Sequence, residues 1–368
     1  MNVPECPENL TVDFVALDRL LQNPEYNNRL KMGTFTAASN VTGKVSDVDR
    51  ISATLHRNGA LAFFDYATGA PYMTMDMNPS PSEKYPTPSL VAKDAIFLSP
   101  HKMIGGVGTP GVLVLKKHLV NQVNAPNRSG GGTVFYVTNT AHRFLSNRIE
   151  RYEGGTPNVA GILRVGLTFL FKRKVEQKYS KVMKDTQKNE QGAKQSIPET
   201  LQNYEYSTYK YVASYLRKYA PNLILLGGDR ENQSCSPHLP IFSFLIKCGN
   251  RFLHYNYVCA ILNDVFGIQS RGGCQCSGPY SQRLLGLTTM TKDGEIPNER
   301  NEQIEQALLH LKERAELLRP GYTRLSLPFK GLRSEEIDYA LKALVWTAKN
   351  GWALICNYRC NYRTGEVR

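Results

Sequence analysis

The stretch SPHKMIGGVGTPGVLVLKK (99–117) sets Lys102 directly after Ser-Pro-His and directly before a glycine-rich turn that runs into an apolar segment. An ordinary solvated lysine needs no such setting. A lysine amine becomes a nucleophile when desolvation or a neighbouring cation weakens its hold on the proton, and an imine with a carbonyl compound is the usual product. Ser99 and His101 flank it and can bind a phosphate, while Gly105, Gly106 and Gly108 allow a close backbone approach. Taken alone, the tetrapeptide reads equally well as a strand-end lysine at the surface. Asp65 shifts that reading, because it ends a second apolar run, ALAFFD, 37 positions upstream. By itself Asp65 would serve as well as a helix N-cap.

These side chains need a scaffold. ALAFFDYA (60–67), DAIFLS (94–99) and GVLVLK (111–116) read as short buried strands bounded by turn residues. DVDRISATLHRNG (47–59) reads as an amphipathic helix, with Val48, Ile51 and Leu55 on one face and Gly59 at its C-terminal cap. Strands alternating with helices predict an α/β fold with a mainly parallel sheet, in which ligands bind outside the carboxyl ends of the strands. Asp65 and Lys102 then share one rim. An imine-forming lysine and a carboxylate that keeps a pyridine nitrogen protonated are the two groups that pyridoxal phosphate requires.

Further along, DMNPSPSEKYPTPS (76–89) is an irregular loop, and the pattern from Asn158 to about Tyr219 is helical apart from a polar stretch at Gln191 to Pro198. Strand patterns follow at PIFSFLIK (240–247) and GYTRLSLPF (321–329). Helical ones follow at HYNYVCAILNDVFG (254–267), around Asn298 to Leu318, and at SEEIDYALKALVWTAKNGW (334–352), the last ending at Gly351. The expected division is therefore a large cofactor-binding domain over 1–157, a helical connection over 158–219 and a smaller α+β domain over 220–368.

Composition narrows the function classes. With 368 residues and 41% hydrophobic content the chain suits a globular protein. No apolar run approaches the roughly 18 residues that span a bilayer, and the opening MNVPECPENLTVDF lacks a signal-peptide layout, so a cytoplasmic location and no membrane partner are expected. Eight scattered cysteines read as thiols of a reducing compartment. Cys274 and Cys276 form a close pair with no histidines clustered at ligand spacing, so no metal site is expected. The net charge of +13 draws heavily on Lys172, Arg173, Lys174, Lys178, Lys181, Lys184, Lys188 and Lys194, at loose helical spacing. These read as a solvated helix face and a polar loop, and without any nucleic-acid-binding motif such a partner is not expected.

Seven segments stand together in one order: TAASNVTG (36–43), HRNGALAFFDYA (56–67), SPHK (99–102), GGGTV (130–134), RYEGGTPN (151–158), QSRGGCQCSGPY (269–280) and GYTRLSL (321–327). In that order the chain resembles the class V aminotransferase and cysteine desulfurase family of pyridoxal-phosphate-dependent transferases, of fold type I. The resemblance implies that Lys102 forms the Schiff base and moves the substrate α-proton, and that Asp65 pairs with the pyridine nitrogen. It places Asn40 near the phenolic oxygen or the substrate carboxylate, and Ser99 and His101 at the phosphate. Thr156 would reach the phosphate of a neighbouring subunit, which implies a homodimer. Arg271, read as part of a glycine-rich loop, would bind the α-carboxylate of an amino-acid substrate. A desulfurase also needs a mobile thiol, for which Cys276 matches a family position, with Cys274 and Cys235 as competitors. Arg324 matches a family arginine and is expected to be structural.

The chain departs from the family pattern at its start. Family members carry over a hundred residues before the segment matching SNVTG, and these supply a phosphate-binding turn and a ring-stacking aromatic, usually histidine. Here 39 residues precede Asn40, so the resemblance implies an N-terminally incomplete large domain. Thr68 also stands where cysteine desulfurases usually carry glutamine. Two readings follow: an active enzyme, cysteine desulfurase-like, or a catalytically impaired paralogue that keeps the scaffold as a binding or structural protein.

Overall fold

The computed structural model describes the chain apart from residues 7–9, 121–125, 190–200, 228–236, 292–293, 298, 311–314 and 328–333, with backbone alone at some flanking positions. It divides into two units, one of residues 14–37 and 46–189, the other of residues 1–13, 38–45 and 190–368.

The first unit contains α1 (Phe14–Leu21), β1 (Met32–Thr36), α2 (Val48–Arg57), β2 (Leu61–Asp65), β3 (Ala95–Leu98), β4 (Val112–Leu115), the hairpin β5 (Val134–Val137) and β6 (His142–Phe144), and α3 (Val159–Asn189). Its sheet runs in the order β1-β2-β3-β4. The first three strands are parallel and β4 returns antiparallel on β3, which agrees with a mainly parallel sheet. Helix α2 forms where its apolar spacing predicts. Asp47 caps it by accepting the Arg50 amide, and Gly59, just past the end, takes the left-handed φ of +66°. Ile51 and Leu55 are fully buried, each worth roughly 1.5–3 kcal/mol. Gly33 on β1 lets Leu55 approach the sheet, since a Cβ there would stand 2.5 Å from Leu55 Cδ2.

Buried polar groups tie β2 to the start of β3. Asp94 accepts the Ala62 amide at 2.8 Å and the His56 Nε2 proton at 2.9 Å, while His56 Nδ1 meets the Leu90 carbonyl. An aspartate this deeply buried is tolerable because it is paired and hydrogen-bonded.

The basic stretch behaves differently from its expectation at one position. Lys172 is buried rather than solvated, and its ammonium donates to the Met73 carbonyl with Glu176 3.6 Å away. Arg173, Lys174, Lys178 and Lys181 are exposed on α3, as a solvated face requires; Lys194 and the stretch Gln191 to Pro198 lie outside the described residues.

The second unit contains α4 (Leu201–Tyr219), β7 (Leu223–Leu225), β8 (Ile241–Cys248), β9 (Arg251–Phe252), α5 (Tyr255–Phe266), β10 (Arg271–Gly273), α6 (Gly278–Leu284), β11 (Thr288–Thr291), β12 (Gly294–Pro297), α7 (Glu299–His310), β13 (Tyr322–Ser326) and α8 (Ser334–Asn350). Its sheet, in the order β10-β13-β8-β7, is antiparallel throughout. Phe242, Phe244 and Ile246 on β8 pack with Ile261 and Leu262 of α5 and Leu341 and Leu344 of α8 in one apolar core. His254 caps α5 through its ring nitrogen, and Gly267 ends it at φ +66°. Helix α8 stops at Asn350, and Gly351 opens a short 3-10 turn rather than closing the helix. Among the described residues no helix is long and apolar enough to cross a membrane.

Candidate active site

The first unit carries the lysine. Asp65 is the last residue of β2 and lies opposite Phe97 in the parallel register, so Ser99 to Lys102 follow just beyond the carboxyl end of the neighbouring strand. Asp65 is exposed and its Oδ1 accepts the Ala67 amide at 2.7 Å. It closes a tight turn in this way and caps no helix. Residues Pro100–Lys102 make one 3-10 turn, closed by the Lys102 amide on the Ser99 carbonyl at 3.0 Å.

Two features fix that turn. Met103 is buried, with Thr168 Oγ1 of α3 3.8 Å from its sulfur. Gly106 passes so close to Pro100 that a Cβ would lie 1.9 Å from the Pro100 carbonyl oxygen, which excludes any other residue. Helix α3 then grips the glycine loop, with Arg164 donating to the Val107 carbonyl and Asn158 to that of Gly108. Lys102 and His101 project from this anchored turn into solvent.

Two glycine segments meet in the same unit. The Gly155 amide donates to the Gly131 carbonyl at 2.8 Å, and a Cβ on Gly130 would stand 3.3 Å from the Gly154 Cα. Thr133 Oγ1 accepts the Gly130 amide and locks the first segment, leaving Thr156 exposed after the second.

The second unit carries the arginine and the thiol. Arg271, expected in a glycine-rich loop, instead opens strand β10 and pairs with Arg324 of β13. The glycines are needed because the Tyr255 ring lies on them: a Cβ at Gly272 would stand 2.5 Å from Tyr255 Cδ2. After β10 the chain makes a turn in which Gln275 and Cys276 are both left-handed, at φ +58° and +62°. Each costs on the order of 1 kcal/mol for a residue with a side chain.

Hydrogen bonds hold the turn. Asn40 Nδ2 donates to the Gln275 carbonyl at 2.6 Å, Gln275 Nε2 donates to the Arg271 carbonyl at 3.1 Å, and Ser281 Oγ donates to the Cys274 carbonyl at 2.9 Å. Arg324 Nη1 donates to the Asn40 carbonyl at 2.9 Å. Burial pushes the Tyr322 hydroxyl up to about 12, so it stays a donor toward the Cys274 carbonyl.

The two described candidate thiols differ. Cys274 Sγ is half-buried and donates to the Pro320 carbonyl, and burial pushes it up, away from the reactive form. Cys276 is exposed, with its Sγ 3.6 Å from Arg271 Nη2. Cys235 lies outside the described residues. Sequence reasoning missed the Asn40–Gln275–Arg271 chain of bonds, which joins residues 235 and 4 positions apart.

Among solved structures, a cysteine desulfurase from Thermococcus onnurineus shares the fold with a TM-score of 0.62 and 19% identity over 95% of this chain and 66% of that one. Another from Escherichia coli gives 0.59, also at 19% identity, over 94% and 64%. The α/β architecture is therefore that of the fold type I transferases. The family model for class-V aminotransferases matches residues 14–305, and this chain belongs to that family. Curated relatives include cysteine desulfurases from Enterobacter, 23% identical over 84% of this chain and 63% of that protein, and from Klebsiella pneumoniae, 25% identical over 70% and 52%. The chain thus spans roughly half to two thirds of the length of these relatives.

Proposed function

We propose that the chain binds pyridoxal phosphate and acts on an amino acid, as a cysteine desulfurase-like enzyme. The observation that carries this is the adjacency of Asp65 and the Ser99–Lys102 turn at the carboxyl ends of two neighbouring parallel strands. The donor set fits the group: an amine, a carboxylate, a hydroxyl and an imidazole along one rim, beside a loop whose Gly106 admits no Cβ. When bound, the cofactor supplies a protonated ring that draws electron density from the substrate α-carbon.

The chain's own residues do the rest. Lys102 would hold the cofactor and carry the substrate α-proton. Asp65, oriented by the Ala67 amide, would keep the ring nitrogen protonated, and Ser99 and His101 would take the phosphate. Arg271 takes the substrate carboxylate through its planar guanidinium. Asn40, with one amide hydrogen on Gln275, presents the other to a ligand oxygen. Cys276, exposed where Cys274 is not, is the sulfur acceptor.

A homodimer completes the proposal, with Thr156 reaching the partner's phosphate. Its support is the exposed apolar side chains of the first unit, Phe135 at 69% exposure, Tyr136 and Val137 on β5 and Leu163 at 67% and Leu167 on α3. Exposed apolar surface of this kind marks an interaction face. A second reading, a scaffold that binds without turnover, draws on the exposure of Asp65, His101 and Lys102. Titration with pyridoxal phosphate separates the two. The enzyme reading expects a visible absorption band that Lys102→Ala abolishes and that shifts on adding cysteine, whereas folded protein with no such band selects the scaffold.

A further inference from the structure

Cys276 occupies a backbone conformation that a cysteine rarely takes, and it does so next to Arg271. Gln275 and Cys276 are left-handed in succession, and the turn is pinned by Asn40 on the Gln275 carbonyl and by Gln275 Nε2 on the Arg271 carbonyl. The result is one contact: Arg271 Nη2 stands 3.6 Å from Cys276 Sγ, with both side chains exposed. Backbone strain persists only where the surroundings over-determine it, and here the bonds that fix the turn also aim the sulfur at the guanidinium.

We propose that Arg271 is a shared donor, holding the Cys276 sulfur in the resting chain and exchanging it for the carboxylate of an amino acid that binds. This rests on the reading that Arg271 receives the substrate carboxylate. An N–H···S contact is weak, whereas a carboxylate takes a guanidinium through two parallel charge-assisted bonds of about 2.7–2.9 Å. The carboxylate therefore wins when present. Seating the substrate removes the cation from Cys276 and leaves the sulfur unclamped, free to move toward the substrate. In this exchange Asn40 acts through Gln275, whose carbonyl it holds in the turn. Cys274 takes no part, because its Sγ is engaged with the Pro320 carbonyl.

Alkylation of the full chain by iodoacetamide, read peptide by peptide, tests this, with the exposed Cys356 and Cys360 as internal references. The Arg271 contact holds the Cys276 sulfur at the exposed surface, where the reagent meets it. Without cofactor, Arg271→Gln should slow alkylation at Cys276 by roughly 3–10-fold at fixed pH, while Arg271→Lys, which keeps a cation, should slow it less. Asn40→Ala should slow it in the same direction with Arg271 still present.

Saturating L-alanine, with or without pyridoxal phosphate, should bring the wild-type rate down to that of Arg271→Gln; alaninamide, which lacks the carboxylate, should not. Arg271→Gln should show no alanine response. Wild-type alkylation rates in Arg271→Gln, or equal effects of alanine and alaninamide, would overturn the proposal. So would the lack of any alanine response at Cys276, even if the Lys102-dependent absorption band appears and shifts with alanine. An alanine response without that band would defeat the enzyme reading and leave the shared donor standing.

Discussion

The lysine of the first unit and the arginine and thiol of the second are positioned by different means. Asp65 and Lys102 owe their places to strand ends: the β2–β3 register sets one opposite Phe97, and a 3-10 turn anchored by Met103 and Gly106 sets the other. Side-chain hydrogen bonds set Arg271 and Cys276, two of them long-range from Asn40 and Arg324 and two local from Gln275 and Ser281. Backbone-set groups are robust to change at their own side chains. Groups set by side chains are not, because removing one partner leaves another unsatisfied.

Several substitutions would break or sharpen this contrast. Lys102→Ala should have the largest functional effect, a complete loss of cofactor-dependent absorption, with an unchanged urea midpoint, since the side chain is exposed and the turn is held elsewhere. Asp94→Ala should have the largest effect on stability. It strands the Ala62 amide and leaves His56 without that partner at the amino ends of β2 and β3, at a cost of about 2–4 kcal/mol in denaturant unfolding. Asn40→Ala should cost about 1 kcal/mol by the same measurement, the net worth of its bond to the Gln275 carbonyl. If it cost nothing, the claim that side chains set the arginine turn would fail.

A pH series adds a smaller effect in the first unit. Burial holds the Lys172 ammonium below its ordinary 10.5. The unfolded chain therefore keeps that proton to higher pH than the folded one, binds more protons between the two values, and stability rises with pH across that window. Below the folded value the effect is flat. The stability of wild type relative to Lys172→Met should accordingly rise as pH climbs toward 10.5, measured as a difference in urea midpoints. A constant difference would place the ammonium in water.

The same contrast decides what the sequence reveals. The rim was legible because short apolar runs ending in Asp65 and Ser99 follow the simplest strand pattern, and strand ends fix position without side-chain detail. Strand β1, MGTFT, lacks a strand signature because its two bulky apolar residues, Met32 and Phe35, fall on opposite faces, and it exists through pairing with β2. Strand β10 looked like a loop for a related reason. Its glycines signal flexibility locally, yet they are there to admit the Tyr255 ring and the pairing with β13. The left-handed pair at Gln275 and Cys276 has no local signature at all, since neither residue type favours that conformation and the bonds that impose it come from Asn40. Lys172 was misread because seven like residues of its stretch suit solvent; burial beside Met73 is a tertiary fact.

The measurement that bears most directly on the central claim is a trapping experiment. The protein is incubated with pyridoxal phosphate, reduced with borohydride and digested, and the modified lysine is located by mass spectrometry. The rim account predicts that the pyridoxyl group sits on Lys102, and that Asp65→Asn weakens loading without moving it. A label spread over surface lysines such as Lys174 and Lys178, or none on Lys102, would contradict it.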